Sequence, residues 1–153
     1  MMTMRDMLPT SSAPPRPLQH MLIVDSDPIV ALVTQRGLQL ALGSDVEVTV
    51  APSAGVAWLR CIREHIDLVI VDPSPPDRAA GALVKALREL CSDVVVLVLT
   101  AGDTPRLRVE MRALGVQHYF AKPLTLLELG HGVRAALGMD AAPRDGVSDR
   151  SIP

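Results

Sequence analysis

Residues Leu68, Val69, Ile70 and Val71 form an unbroken apolar run that ends in Asp72 and meets Pro73-Ser74-Pro75-Pro76 at once. A run with no polar alternation suits a central strand of a parallel sheet, which is covered on both faces. The prolines cannot continue such a strand, so the chain must leave the sheet there. The carboxylate is thus left at the carboxyl end of a central strand, where open α/β sheets place their ligand sites.

The rest of the chain repeats this pattern. Met21 to Val24 is a short apolar run ending in Asp25, and Val94 to Leu99 is a longer one ending in Thr100. Val116 to Ala121 ends in Lys122-Pro123. Val46, Val48 and Val50 alternate with polar residues, which marks a half-exposed edge strand. Helical spacing fills the gaps. Asp27-Pro28 predicts a helix start, with a face of Val30, Val33, Gly37, Leu40 and Ala41. Ser53 opens a second helix with Ala54, Ala57, Trp58, Cys61 and His65 on one side. A third, from about Ala80 to Cys91, carries Leu83, Leu87 and Leu90. Asp103-Thr104-Pro105 begins a fourth with Leu107, Met111 and Leu114. Thr125 and Glu128 form a capping box for a fifth with Leu126, Leu129, Val133 and Leu137. The order is βαβαβαβαβα, which predicts a doubly wound parallel α/β sheet of five strands with right-handed crossovers.

The 153 residues suffice for one domain with a real core. Residues 1–19 are proline-containing and polar and predict a disordered leader, residues 139–153 a disordered tail, leaving 20–138 as the domain. A net charge of −2 offers no electrostatic case for nucleic acid or an acidic membrane. No apolar run reaches membrane-spanning length, and no signal core precedes the first strand. Cys61 and Cys91 lack zinc-ligand spacing and read as reduced thiols, in keeping with a cytoplasmic protein.

The strand ends Asp25, Asp72, Thr100 and Lys122 fall along one sheet edge. Carboxylates bind Mg²⁺ or act as nucleophiles. A threonine hydroxyl donates to a phosphoryl oxygen, and a lysine offsets its charge. Together they suggest a Mg²⁺-assisted aspartyl-phosphate site.

At these residues the chain resembles the receiver domain of two-component response regulators, the chemotaxis-type single-domain group in particular. The resemblance covers about Gln19 to Gly138. It rests on Leu22-Ile23-Val24-Asp25, on Asp67 to Asp72 with Pro76-Asp77, on Leu99-Thr100-Ala101 and on Gly115 to Pro123. It implies a flavodoxin-like receiver fold with strand order 2-1-3-4-5. It further implies that Asp72 accepts a phosphoryl group from a histidine kinase or histidine phosphotransfer protein. Asp25, Asp72 and the Ser74 carbonyl would hold Mg²⁺, with Asp27 as a further candidate. Thr100 would turn toward the phosphoryl group, Tyr119 would change rotamer with it, and Lys122 would pair with it. The Lys122–Pro123 bond would be cis. A downstream protein would then read the face formed by the fourth helix, fifth strand and fifth helix. Under this reading the chain is a signalling domain, not a metabolic enzyme.

One position departs from the pattern. Ser26 stands where the family usually has a second acid, which predicts weakened Mg²⁺ binding. Two alternatives therefore stand beside the phosphorylated switch. One is a degenerate receiver that binds partners without phosphorylation. The other is a haloacid-dehalogenase-like phosphatase with Asp25 as nucleophile, against which stand the lack of an acidic pair after Lys122 and the lack of room for a cap. A flavodoxin-like flavin binder fits less well, because no Ser/Thr-rich loop follows the first strand.

Overall fold

The computed structural model describes residues 17–74 and 76–139. Five strands alternate with five helices: β1 (Gln19–Val24), α1 (Pro28–Leu42), β2 (Val46–Ala51), α2 (Ala54–Arg63), β3 (Leu68–Val71), α3 (Arg78–Leu90), β4 (Val95–Thr100), α4 (Pro105–Ala113), β5 (His118–Ala121) and α5 (Leu126–Ala136). The order across the sheet is β2-β1-β3-β4-β5, and every pairing is parallel. The expected topology is therefore the observed one. Of the expected leader and tail, residues 1–16 and 140–153 lie outside the described residues, whereas Gln19 opens β1 and Met139 is buried in the core, because each continues the packing of the element beside it.

Alternation along the strands divides the core in two. Leu22, Val69, Val71, Val96 and Val98 face Ala57, Leu83, Leu87, Leu107 and Met111, beneath α2, α3 and α4. Met21, Ile23, Leu68, Ile70, Leu97 and Leu99 face Leu38, Leu42, Leu129 and Val133, beneath α1 and α5. Every residue of β3 is buried, as a strand covered on both faces requires.

Side chains cap all five helices. Asp27 Oδ1 accepts from the Ile29 and Val30 N–H groups at 2.9 and 3.2 Å. Ser53, Asp77 and Thr104 cap α2, α3 and α4 through single bonds of 3.0–3.2 Å. Thr125 and Glu128 close the capping box on α5. Each such cap contributes about 1 kcal/mol.

The inward face of α1 differs from the expected one. Its buried residues are Ala31, Leu38 and Leu42, whereas Val33 is 58% and Leu40 86% exposed. The reason lies in two polar side chains. Gln39 donates to the Val46 carbonyl (2.6 Å) and accepts from the Val48 N–H (3.0 Å), and Gln35 donates to the Val48 carbonyl (2.8 Å). They satisfy the outer edge of β2, where no further strand pairs. The helix turns its amides inward to do so, and apolar residues follow them out. Two smaller corrections belong here. His65 lies beyond the end of α2 with its side chain 77% exposed, paired with Asp67. Leu90, at the last turn of α3, is 71% exposed.

Candidate functional site

The carboxyl ends of the strands open into one cleft of about 510 Å³, lined among others by Asp25, Ser26, Asp72, Ser74, Asp77 and Lys122. The parallel register brings these distant residues together, because β1, β3 and β5 all end on the same edge.

Asp72 is half-buried at the end of β3, and its Oδ1 accepts the Ser74 N–H at 2.9 Å. Burial pushes its carboxyl upward. The hydroxyls of Thr100 and Ser74 and the backbone of Ser74 and Ala101 oppose this and leave it below the usual carboxylate value. The group is thus an ionised carboxylate facing an open cleft, the state a nucleophile needs.

Thr100 is the one fully buried polar side chain in the described core. Its Oγ1 accepts the Gly102 N–H at 2.9 Å and so folds the turn after β4. Gly102 needs its lack of a side chain here: a Cβ would sit 2.7 Å from Ser74 Cβ. The β3–α3 and β4–α4 loops therefore meet at Ser74 and Gly102.

On the other side of the cleft, Asp25 Oδ1 accepts the Asp27 N–H at 2.9 Å, and Ser26 is exposed. Asp27 is the α1 cap, so its Oδ1 already serves two backbone donors. Lys122 lines the cleft and is exposed. It takes part in none of the ion pairs among the described residues. The peptide bond between Lys122 and Pro123 is cis, as expected.

Tyr119 lies apart from the cleft, in a groove with Arg108, Met111, Arg112, Val116, Gln117 and Ala121. Its hydroxyl donates to Asp103 Oδ1 at 2.8 Å. Arg108 donates through Nε to the same oxygen at 2.8 Å and through Nη2 to Oδ2. The guanidinium carbon also stands 5.9 Å from the centre of the Tyr119 ring. Asp103 was not among the site residues expected from the sequence. No pattern in the chain separated Arg108 from its neighbours.

The donor set also bears on a divalent metal. No group of three or more His, Cys, Asp or Glu side chains converges on one point among the described residues. The cleft offers the carboxylates of Asp25 and Asp72, with Asp77 tied to the Ala80 N–H as the α3 cap. Mg²⁺ keeps several waters and commonly takes one or two carboxylates, so the residues fit that ion.

Comparisons with known proteins agree with this geometry. The family model described as the response regulator receiver domain matches residues 21–134. The chain belongs to that family, a family of signalling domains of two-component systems. It is 33% identical over 118 residues to the transcriptional regulatory protein PrrA of Mycobacterium tuberculosis, covering 77% of this chain and 49% of that protein. It is 34% identical over 113 residues to the TorCAD operon transcriptional regulatory protein TorR of Escherichia coli K12, covering 72% and 46%. The chain thus spans about half the length of these relatives. Among solved structures, a response regulator from Thermotoga maritima superposes with a TM-score of 0.68 at 28% identity, over 79% of this chain and 98% of that one. A CheY-like receiver domain from Methanospirillum hungatei shares the fold at 23% identity, with a TM-score of 0.70 over 80% and 95% of the two chains. No helix among the described residues is long and apolar enough to cross a membrane.

Proposed function

We propose that Asp72 accepts a phosphoryl group from a phosphohistidine on a kinase or phosphotransfer protein, within a receiver unit over residues 20–138. The observation that carries this reading is the ionised Asp72 carboxylate, set in an open cleft with the Ser74 and Thr100 hydroxyls beside it and Lys122 on the rim. In the transfer a carboxylate oxygen forms the new P–O bond as the P–N bond breaks. The imidazole leaves with its electron pair and takes a proton from water. Thr100 can donate to a phosphoryl oxygen, and Lys122, which pairs with no carboxylate among the described residues, can reach the added charge. Asp25, Asp72 and the Ser74 carbonyl would hold Mg²⁺. When bound, that ion offsets the negative charge shared by the carboxylate and the incoming group. Two carboxylates without a third predict weaker retention of the ion, as Ser26 suggested.

The signal then passes to a protein partner through the α4–β5–α5 face, in the cytoplasm. The test is intact mass after incubation with acetyl phosphate, with and without Mg²⁺. A Mg²⁺-dependent gain of one phosphoryl group supports the reading. No gain at high Mg²⁺ in folded protein overturns it. That result favours the second reading, a phosphorylation-independent interaction module, for which Ser26 and the two-carboxylate cleft speak.

A further inference from the structure

We propose that Asp103 and Arg108 are positioning residues that hold Tyr119 in its resting place, a latch of this chain's own on the Thr100–Tyr119 coupling that the family resemblance implies. Three elements meet in this knot. Asp103 belongs to the β4–α4 loop, Arg108 to α4 and Tyr119 to β5. One carboxylate oxygen accepts from both the phenol and the guanidinium, and the second oxygen takes the other arm of the guanidinium. A two-armed guanidinium contact fixes orientation as well as distance, which a single lysine contact does not. The ring of Tyr119 is also pinned, with the Arg108 cation close to it.

The knot is wired to the cleft through a short path. Asp103 follows Gly102, whose N–H is held by the Thr100 hydroxyl, and Gly102 packs on Ser74. A displacement of Thr100 toward a group on Asp72 acts through the Gly102 bond and so pulls on the segment that carries Asp103. Release of Asp103 would free the Arg108 guanidinium and the Tyr119 hydroxyl together on the groove between α4 and β5. Charge supports the arrangement. Arg108, then Tyr119, hold the Asp103 carboxyl below its usual value. Burial, then Asp103, push the Tyr119 phenol up to about 12. The latch itself stands on this geometry; only its trigger rests on the phosphoryl reading of the cleft.

Tyr119 is the single tyrosine of the chain, so one label reports on it alone. The experiment incorporates 3-fluorotyrosine into the whole chain and records its ¹⁹F line in the wild type, Asp103→Ala, Arg108→Gln and Arg106→Gln. Arg106 pairs with Glu110 and does not enter the knot, so its variant is the control. Asp103→Ala and Arg108→Gln are expected to move the line toward that of a solvent-exposed fluorotyrosine, and Arg106→Gln to leave it in place. In the unlabelled proteins, the tyrosinate absorbance midpoint should fall from about 12 toward the ordinary value near 10 in Asp103→Ala. Far-ultraviolet circular dichroism confirms the fold of each variant, and Asp103→Asn provides a milder substitution that keeps an acceptor for the phenol. A folded Asp103→Ala protein with the wild-type line and midpoint, or a folded Arg108→Gln protein with the wild-type line, would overturn the latch. Beryllium trifluoride with Mg²⁺ then tests the trigger separately. A shift of the wild-type line toward the Asp103→Ala position supports the coupling. A wild-type line that stays still while Asp103→Ala moves removes the phosphoryl trigger and leaves the latch standing.

Discussion

The two sides of the cleft are built differently. On the β1 side, Asp25, Ser26 and Asp27 are half-buried or exposed, and the two carboxylates accept from backbone N–H groups of their own turn and of the first turn of α1. On the β4–β5 side, Thr100 is fully buried, Gly102 is pressed onto Ser74, and Asp103 ties Arg108 to Tyr119 across three elements. The first side offers charge to a ligand and little else. The second links the strand-end threonine to the Tyr119 groove through hydrogen-bonded and packed neighbours. The proposed metal retention and the proposed switch therefore rest on different residues and can be tested separately.

The largest effect should come from cutting the connected side at its root. Thr100→Val keeps the shape but leaves the half-buried Gly102 N–H without its acceptor. Such a loss costs about 1–3 kcal/mol, read as a lower urea midpoint at unchanged slope. A midpoint within error of the wild type would mean that the turn does not depend on this hydroxyl. On the β1 side, Asp27→Ala should cost about 1 kcal/mol through the lost cap. Its Mg²⁺ affinity, measured by calorimetry, should be unchanged. A clear loss of affinity would bring Asp27 into the metal site and narrow the contrast between the two sides. Ser26→Asp should change stability by less than about 0.5 kcal/mol, as an exposed substitution, while tightening Mg²⁺. Unaltered affinity there would place Ser26 away from the ion.

Acid gives a further, smaller contrast. Asp72 and Asp103 both have carboxyls held below the usual value in the folded protein. Such groups add stability above the unfolded carboxyl value of about 3.9 and lose it as pH falls through the folded one. Asp103→Asn should therefore flatten the acid limb of the stability curve below about pH 4 relative to the wild type. Steepening of that limb would contradict the assigned direction.

Much of this was legible in the chain. The unbroken run Leu68 to Val71 fixed a central strand, and Asp27, Ser53, Thr104 and Thr125 marked helix starts through cap chemistry that acts locally. The convergence of Asp25, Asp72 and Lys122 followed from parallel topology alone. The inward face of α1 was not legible, because Gln35 and Gln39 turn inward to serve the edge of β2, and hydrophobic spacing cannot see a hydrogen bond to another element. The Asp103–Arg108 pair was hidden for a related reason. Asp103 precedes the Thr104 cap, so its separation from Arg108 is not the spacing of two residues on one helix face. Its second partner, Tyr119, arrives only through the pairing of β4 with β5.

The account turns on which carboxylate is phosphorylated. Borohydride reduces an aspartyl phosphate to the alcohol and leaves homoserine in place of the labelled aspartate, so peptide mass spectrometry after acetyl phosphate and borohydride locates the acceptor directly. Homoserine at position 72, dependent on Mg²⁺ and lost in Asp72→Asn, is the predicted result. Homoserine at position 25 would contradict it and shift the chemistry to the phosphatase-like alternative.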